Sequence, residues 1–596
     1  MVPSIIVGRA SGGEDTLVDV GNVSSFDEMH GSGAEDVLEF DGNHGVEGDG
    51  FARWNRDSDA PKLRKMVSRE ERMKWWRVYA MHFLFMWNSR TFEYVSIFLV
   101  ALAFPKGLFA TSIRGITSTV SAMLCASAVG NWIDRSPSRL PTLLITIFLN
   151  HAAIVASYCC WLYWPIIAGY GEVTSETSGP FSSLSKGIVY GLILFLDVVH
   201  DLSAIANRLS LERDWVPVLV GPITPEISYG LTQVNSVMVR IELIVKLIAP
   251  SLLPLIMHTF NSQEGWILLL AAMTIVVWAI EVWCARLVAR ENPELQELKK
   301  PSIDSATIED FEIEDQFVHL KPGLHSLPQK MYFVLYQDPA ARLRHYFSIP
   351  MWPASISMAL LQLTVLAYSA TLITHLVQTG FSISSITVAR ASGAITGLAS
   401  TVITPWLVGV LRGRYIRGSS TEDEKDDAAE GRVVRTVGMW GILLQFLCLI
   451  PVVLVLWSLS SAISPEVLSR ETNTSTSSPQ FLIPFILFAF LSLSRVGHYM
   501  NSLMVQELGQ VEIPASQRST FAGTEQSFKS LCELCHWAAT VVWDHPSQFK
   551  WLALGSLIVT GSSAVLFGTW ARKSGKGQDS GYESVPLNDL EEDNTI

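Results

Sequence analysis

About twelve apolar stretches, each near the roughly 20 residues needed to cross a bilayer as a helix, recur along this chain, centred near residues 90, 120, 152, 195, 242, 275, 362, 398, 446, 490, 530 and 560. Their length and number dictate an all-α membrane protein, a polytopic bundle. Charged residues make up 17% of the chain, against about 25% in soluble domains, so charge has been moved out of the middle. Much of the net charge of -13 comes from the first sixty residues, where GGEDTLVDV and GAEDVLEFDGNHGVEGDG carry many acids and few large apolar side chains. Residues 1–72 are therefore expected to be disordered. They lack a basic start followed by an apolar run, so the first span must act as the internal signal.

Lys and Arg set the orientation. Lys62, Arg64, Lys65, Arg69, Arg72 and Lys74 precede the first span, Arg135 and Arg139 follow the second, and Arg412, Arg414 and Arg417 follow the eighth. The connection YGEVTSETSGPFSS has no Lys or Arg, and the ninth-to-tenth connection has only Arg470. By the positive-inside rule both termini are cytoplasmic. An external ninth-to-tenth loop would expose Asn473, Thr474 and Ser475, a short glycosylation triplet of the kind chance often produces. The seven cysteines lie mostly in or beside spans, which indicates no disulfide framework.

A polar stretch from about Asn292 to Arg344 divides the spans six and six. The boundaries read as a half over 73–291, a cytoplasmic linker over 292–345, a second half over 346–573 and a tail over 574–596. This arrangement resembles the major facilitator architecture, in which two halves rock about a midplane site. At the end of the second span VGNWIDR places Gly130, Asp134 and Arg135 in a Gly-x-x-x-Asp-Arg pattern similar to the turn facilitators carry there.

Ionisable residues within spans mark an ion or substrate pathway by default, because burying them in hydrocarbon costs about 2.5–3.5 kcal/mol or more. Glu93 lies four residues after Ser89 in the first span, on one helical face. Glu242 and Lys246 in the fifth have the i,i+4 spacing of a self-neutralising pair. Glu93, Glu281 in the sixth span and His536 in the eleventh read as unpaired. In the string LCELCHW, Cys532 shares a face with His536 one turn on. Carboxylate with imidazole suits divalent first-row metals, and a neighbouring thiol favours softer ions.

Several strings together resemble the ferroportins, solute carrier family 40. They are the first span with Trp87, Arg90, Phe92 and Glu93, the turn VGNWIDR, LERDWV at the end of the fourth, NSVMVRIELIVKLIAP in the fifth, ASGAITG, and SQRSTFAGTEQSFKSLCELCHW. Their shared order makes the resemblance specific. It implies export of ferrous iron, or of other divalent transition metals, by alternating access with a metal site in each half. The first site of animal members uses an Asp and a His at the positions of Ser89 and Glu93; the glutamate resembles plant members and keeps a hard oxygen ligand. The second pairs a Cys in an unwound part of the seventh span with a His at the position of His536. Here the Cys position is Ala370, so Cys532, Ser369 or a water must take its place, and hormone control through that Cys is not expected. The resemblance also implies inter-half gating contacts at Arg139, Asp214 and Arg495, whose plain alternative is solvated loop charge. Of the family's calcium-responsive cluster, Asn150 and Glu281 match and Thr274 replaces an Asn, so no calcium effect is expected.

Two other readings of single residues are set aside. Cys532 to His536 has the CxxCH form of a haem attachment site, but it continues an apolar span where covalent haem has no access. His375, near the outer end of the seventh span, reads as a hydrated interfacial group. Two rivals to the exporter remain: a facilitator of an organic solute, which Trp87, Tyr368 and Gln362 would permit, and a non-transporting metal sensor. No enzyme activity, bound cofactor or nucleic-acid partner is expected. The exporter is expected to work as a monomer in a lipid bilayer, the plasma membrane before internal ones, with protons as the coupling ion.

Overall fold

A computed structural model describes residues 69–104, 109–168, 180–221, 230–260, 262–299, 339–367, 370–418, 426–462, 479–543 and 545–580. Residues 1–68 of the segment expected to be disordered, the middle of the linker, the triplet at Asn473, and the positions Tyr368 and Ser369 lie outside the described residues, whereas residues 69–72 of that segment are helical.

Helices occupy the places that the apolar stretches predict. The first half holds α1 (Arg69–Ala103), α2 (Phe109–Arg135), α3 (Arg139–Ala168), α4 (Pro180–Leu209), α5 (Leu231–Thr259) and α6 (Gln263–Glu291). The second begins with a short α7 (Pro339–Ser348), followed by α8 (Trp352–Leu360) and α9 (Ala370–Gln378), then α10 (Ile383–Gly418), α11 (Asp426–Ala462), α12 (Pro479–Val511), α13 (Arg518–Val542) and α14 (Phe549–Ser580). Eight described helical segments are long and apolar enough to cross a membrane by length and composition alone. Outside that set are α1, α5, the broken seventh span and α13. Charge or a break in these four marks where function intrudes on the hydrophobic pattern.

Each half has its own apolar packing. In the first, Trp75, Leu143, Trp215, Met238 and Val288 cluster toward one end, and Phe92, Tyr158, Trp161 and Trp266 toward the other. In the second, Tyr346, Val437, Met504 and Phe567 form one cluster and Leu366, Leu376, Leu456 and Leu487 another. Trp76, Phe109, Phe195, Trp283 and Trp406 remain exposed. So large an apolar exterior has a solvent in lipid, where it would be a liability in water.

The fourth span does not stop at Leu209 but continues through a π-helical turn, Ser210–Trp215, into Val216–Val220. It ends at Gly221, whose φ of 73° is the left-handed conformation that glycine adopts without a Cβ penalty. The seventh span breaks. After α8 comes a 3₁₀ turn, Leu361–Leu363, and Thr364 is extended at ψ 129°. Two amides freed by the break find side chains: Val365 N–H donates to Ser556 Oγ at 2.9 Å and Leu366 N–H to Thr364 Oγ1 at 3.2 Å. Non-helical backbone at membrane depth requires such partners.

Candidate transport site

In the first half, α1 carries the chemistry. Its Asn88, Ser89, Arg90 and Glu93 sit within about one turn, and each finds a partner on another helix or on α1 itself. Glu93, expected to be unpaired, accepts from Arg90 Nη1 at 2.7 Å. Arg90 Nη2 reaches on to Glu242 of α5 at 3.1 Å, and Lys246 closes the row on Glu242 at 2.7 Å, as the i,i+4 spacing predicts. The Arg90–Glu93 pair has a spacing of i,i+3, equally readable from the sequence. Glu93 still has a half-exposed side chain, so one carboxylate edge faces open space.

Ser89 bonds to His200 Nε2 at 3.2 Å, and His200 Nδ1 lies 3.0 Å from Asp201 Oδ1. One turn before, Asp197 is held by Arg114 at 2.6 Å. Sequence reasoning missed these α4 residues, although Asp197, His200 and Asp201 at i, i+3 and i+4 in an apolar span carried the signal. Glu281, expected to be unpaired, is fully buried and neither carboxylate oxygen has a hydrogen-bond partner among the described residues; His151 Nε2 on α3 approaches to 3.4 Å, and His151 Nδ1 lies 2.9 Å from the Ile147 carbonyl. Thr274 hydroxyl donates to Asn88 Oδ1 at 2.9 Å, and Asn150 Nδ2 to the His200 carbonyl at 3.2 Å.

In the second half, His536 of α13 is buried opposite the break in the seventh span. Its Nδ1 donates to the Leu363 carbonyl at 3.4 Å. That contact orients the ring and leaves the Nε2 lone pair as the available donor atom. Cys532, one turn earlier, is a half-buried free thiol, and Cys535 is an exposed one. Glu533 of α13 is exposed. His375 departs from expectation: it is buried, stacked on Phe549 with ring centroids 3.8 Å apart, rather than hydrated. Among the described residues no three His, Cys, Asp or Glu side chains converge on one point. A site that must release its ion is served by few protein ligands completed by water, since conduction needs weak as well as favourable binding.

The Ferroportin1 (FPN1) family profile matches residues 72–414 and 430–560. The chain belongs to the ferroportin family. It is 24% identical over 509 residues to solute carrier family 40 member 2 of Arabidopsis thaliana, covering 82% of this chain and 88% of that protein. Against ferroportin of Canis lupus familiaris the identity is 21% over 556 residues, covering 83% and 91%. A bacterial homologue of the iron transporter ferroportin, crystallised in an outward-facing state, superposes with a TM-score of 0.62 at 20% identity over 84% of this chain and 99% of that one. Family and fold make this a multi-pass membrane transporter.

In this ferroportin-family chain the two halves are joined at the end bearing the second-to-third turn. Asp134 of α2 accepts from Ser519 N–H at 3.1 Å, Thr520 N–H at 2.6 Å and Thr520 Oγ1 at 2.8 Å. Gln517, the residue before α13, makes no side-chain cap of its own. The cap of α13 thus comes from the opposite half, with a carboxylate placed on the positive end of the helix. The approach is possible only because α2 and α13 carry glycine at the crossing: a Cβ on Gly130 would overlap the Ser519 carbonyl, and one on Gly523 that of Ala126. The GNWIDR motif therefore works through tertiary contact.

Around this cap, Thr232 hydroxyl donates to Glu507 Oε1 at 2.6 Å, Gln510 Nε2 to the Glu212 carbonyl at 2.6 Å, and Arg213 to the Gln506 carbonyl at 2.8 Å. None of these was singled out from sequence. The residues that were make other contacts. Arg139 Nε pairs with Asp214 at 3.0 Å and Lys299 with Asp214 at 2.6 Å, all within the first half and its outgoing linker. Arg495 lies 5.7 Å above the Tyr499 ring on its own helix. Direct hydrogen bonds between the halves among the described residues include instead those of Asp134, Arg213, Thr232 and Gln510, together with Ser127 to Thr524 and Arg240 to Thr401.

Proposed function

We propose that this chain exports ferrous iron, and related divalent first-row metals, by alternating access with protons as counter-ion. The observation that carries the reading is His536, whose ring is turned by the Leu363 carbonyl so that Nε2 is left to a ligand opposite a broken span. An imidazole held this way suits Fe²⁺, Co²⁺, Ni²⁺ or Zn²⁺ better than the hard ions Ca²⁺ and Mg²⁺. Half-exposed Glu93 offers an oxygen ligand in the other half. With the termini cytoplasmic by the positive-inside rule, the contact of Asp134 with Ser519 and Thr520 ties the two halves together at the cytoplasmic end. Moving a divalent cation out against 100 mV costs about 4.6 kcal/mol, and counter-movement of two protons cancels that charge. The plasma membrane is the membrane this reading assigns.

Flux of Fe, Co, Mn, Zn and Ni in proteoliposomes, with an internal pH dye, tests it. Wild type should move metal with an opposing proton flux, His536→Ala should abolish it and Glu93→Ala should reduce it. Metal-independent transport of a sugar or amino acid, or metal binding with no flux, would overturn the reading.

A further inference from the structure

Resting on the metal-transport reading above, we propose that the first-half metal site of this chain is built on His200 of the fourth span, with Ser89 as companion ligand and Asp201 as positioning residue. The first span alone is short of donors. Ser89 is a neutral hydroxyl, and the Glu93 carboxylate is shared with Arg90 at 2.7 Å. His200 supplies what is missing.

Its tautomer follows from its partners. Asp201 faces Nδ1 at 3.0 Å and, as a carboxylate, accepts, so Nδ1 bears the proton and Nε2 the lone pair. Nε2 points at Ser89 Oγ, 3.2 Å away. Two ligands each about 2.1 Å from one ion stand about 3.0 Å apart at a right angle and about 3.4 Å apart at the tetrahedral angle. The observed separation falls between these, the edge of a coordination polyhedron. A histidine whose other nitrogen donates to a carboxylate is the usual second layer of a protein metal ligand, fixing ring orientation and raising basicity.

The arrangement is anchored on every side. Ser118 hydroxyl donates to Asp201 Oδ2. The Phe92 ring lies 4.8 Å from the imidazole, and Asn150 Nδ2 holds the His200 carbonyl at 3.2 Å. The adjacent Asp197 is occupied by Arg114 at 2.6 Å and so does not compete for the ion. His200 is only 3% exposed, Ser89 beside it is half-buried, and Glu93, one turn on from Ser89, is half-exposed. Imidazole with hydroxyl and water selects a first-row divalent cation over Ca²⁺ or Mg²⁺.

The test is Co²⁺ binding to the full chain in nanodiscs, by calorimetry and visible absorption, beside metal flux. Wild type should show two sites. His200→Ala and His200→Gln should each lose one and keep the one that His536→Ala removes. Asp201→Asn should weaken the first site about 10- to 100-fold, the cost typical of altering a ligand's carboxylate partner, and leave the second unchanged. Ser89→Asp should restore the first site in the His200→Ala background. If the His200 variants elute and melt as wild type and keep both sites at unchanged affinity, the inference is wrong while the transport reading stands. Should they misfold, an Asp201→Asn protein with an unaltered first site overturns it equally. A wild type that neither binds Co²⁺ nor moves metal overturns the transport reading itself.

Discussion

Replacing Asp134 by alanine removes three hydrogen bonds that hold the start of α13, at 2.6–3.1 Å, and with them the only side-chain cap that helix has among the described residues. Loss of a capping acceptor costs about 0.5–2 kcal/mol, and loss of a negative charge at a helix N-terminus about 0.3–1 kcal/mol. The cap joins opposite halves, so the combined cost, about 2 kcal/mol, falls on the equilibrium between closed and open cytoplasmic ends. At 1.4 kcal/mol per decade this is about a 30-fold shift toward opening. Asp134→Asn keeps a neutral acceptor and forfeits mainly the charge, a shift of about threefold. The assay is hydrogen–deuterium exchange of a peptide holding Ser519 and Thr520, whose amides should exchange faster by these factors. A peptide around His151, inside the first half, is the control. If the Asp134→Ala protein shows unchanged protection at Ser519 and Thr520, those amides are held by something other than Asp134 and the account of the lock is refuted.

Gly130→Ala and Gly523→Ala put a methyl into backbone at the same crossing, at about 1–3 kcal/mol for overpacking; both should raise exchange at Ser519 and Thr520 and lower expression of folded protein. Cys532→Ser should weaken Co²⁺ at the His536 site about tenfold and remove a sulfur-to-cobalt charge-transfer band if the thiol shares the ion. A site in wild type with no such band means Cys532 stands aside. Ser556→Ala orphans the Val365 amide in the broken span, an unsatisfied buried donor worth about 1–3 kcal/mol, seen as a lower melting temperature and faster exchange over residues 361–367.

Short spacings were legible, and long ones were not. The Glu242–Lys246 pair follows from i,i+4, while the i,i+3 spacing of Arg90 and Glu93 was equally available although Glu93 reads as unpaired from its span alone. Ser89 and His200 are 111 residues apart, and no periodicity joins them. His375 shows the same limit, since a histidine near a span's end has no sequence mark to tell an interface from the Phe549 ring it stacks on. The break in the seventh span came from family resemblance, because its residues are as apolar as those of an unbroken helix.

By itself the sequence determined that this chain is a two-part bundle of membrane helices and that ionisable side chains enter the first, fifth, sixth and eleventh spans. That much follows from transfer free energy along one dimension, where twenty apolar residues must be a span and a charge within them must have a reason. Tertiary structure alone decided the partners: His200 behind Ser89, His151 against Glu281, the Leu363 carbonyl on His536, and Asp134 as the cap of α13. Each depends on distances of about 3 Å between helices remote in sequence, set by how side-chain volumes and crossing glycines let those helices approach.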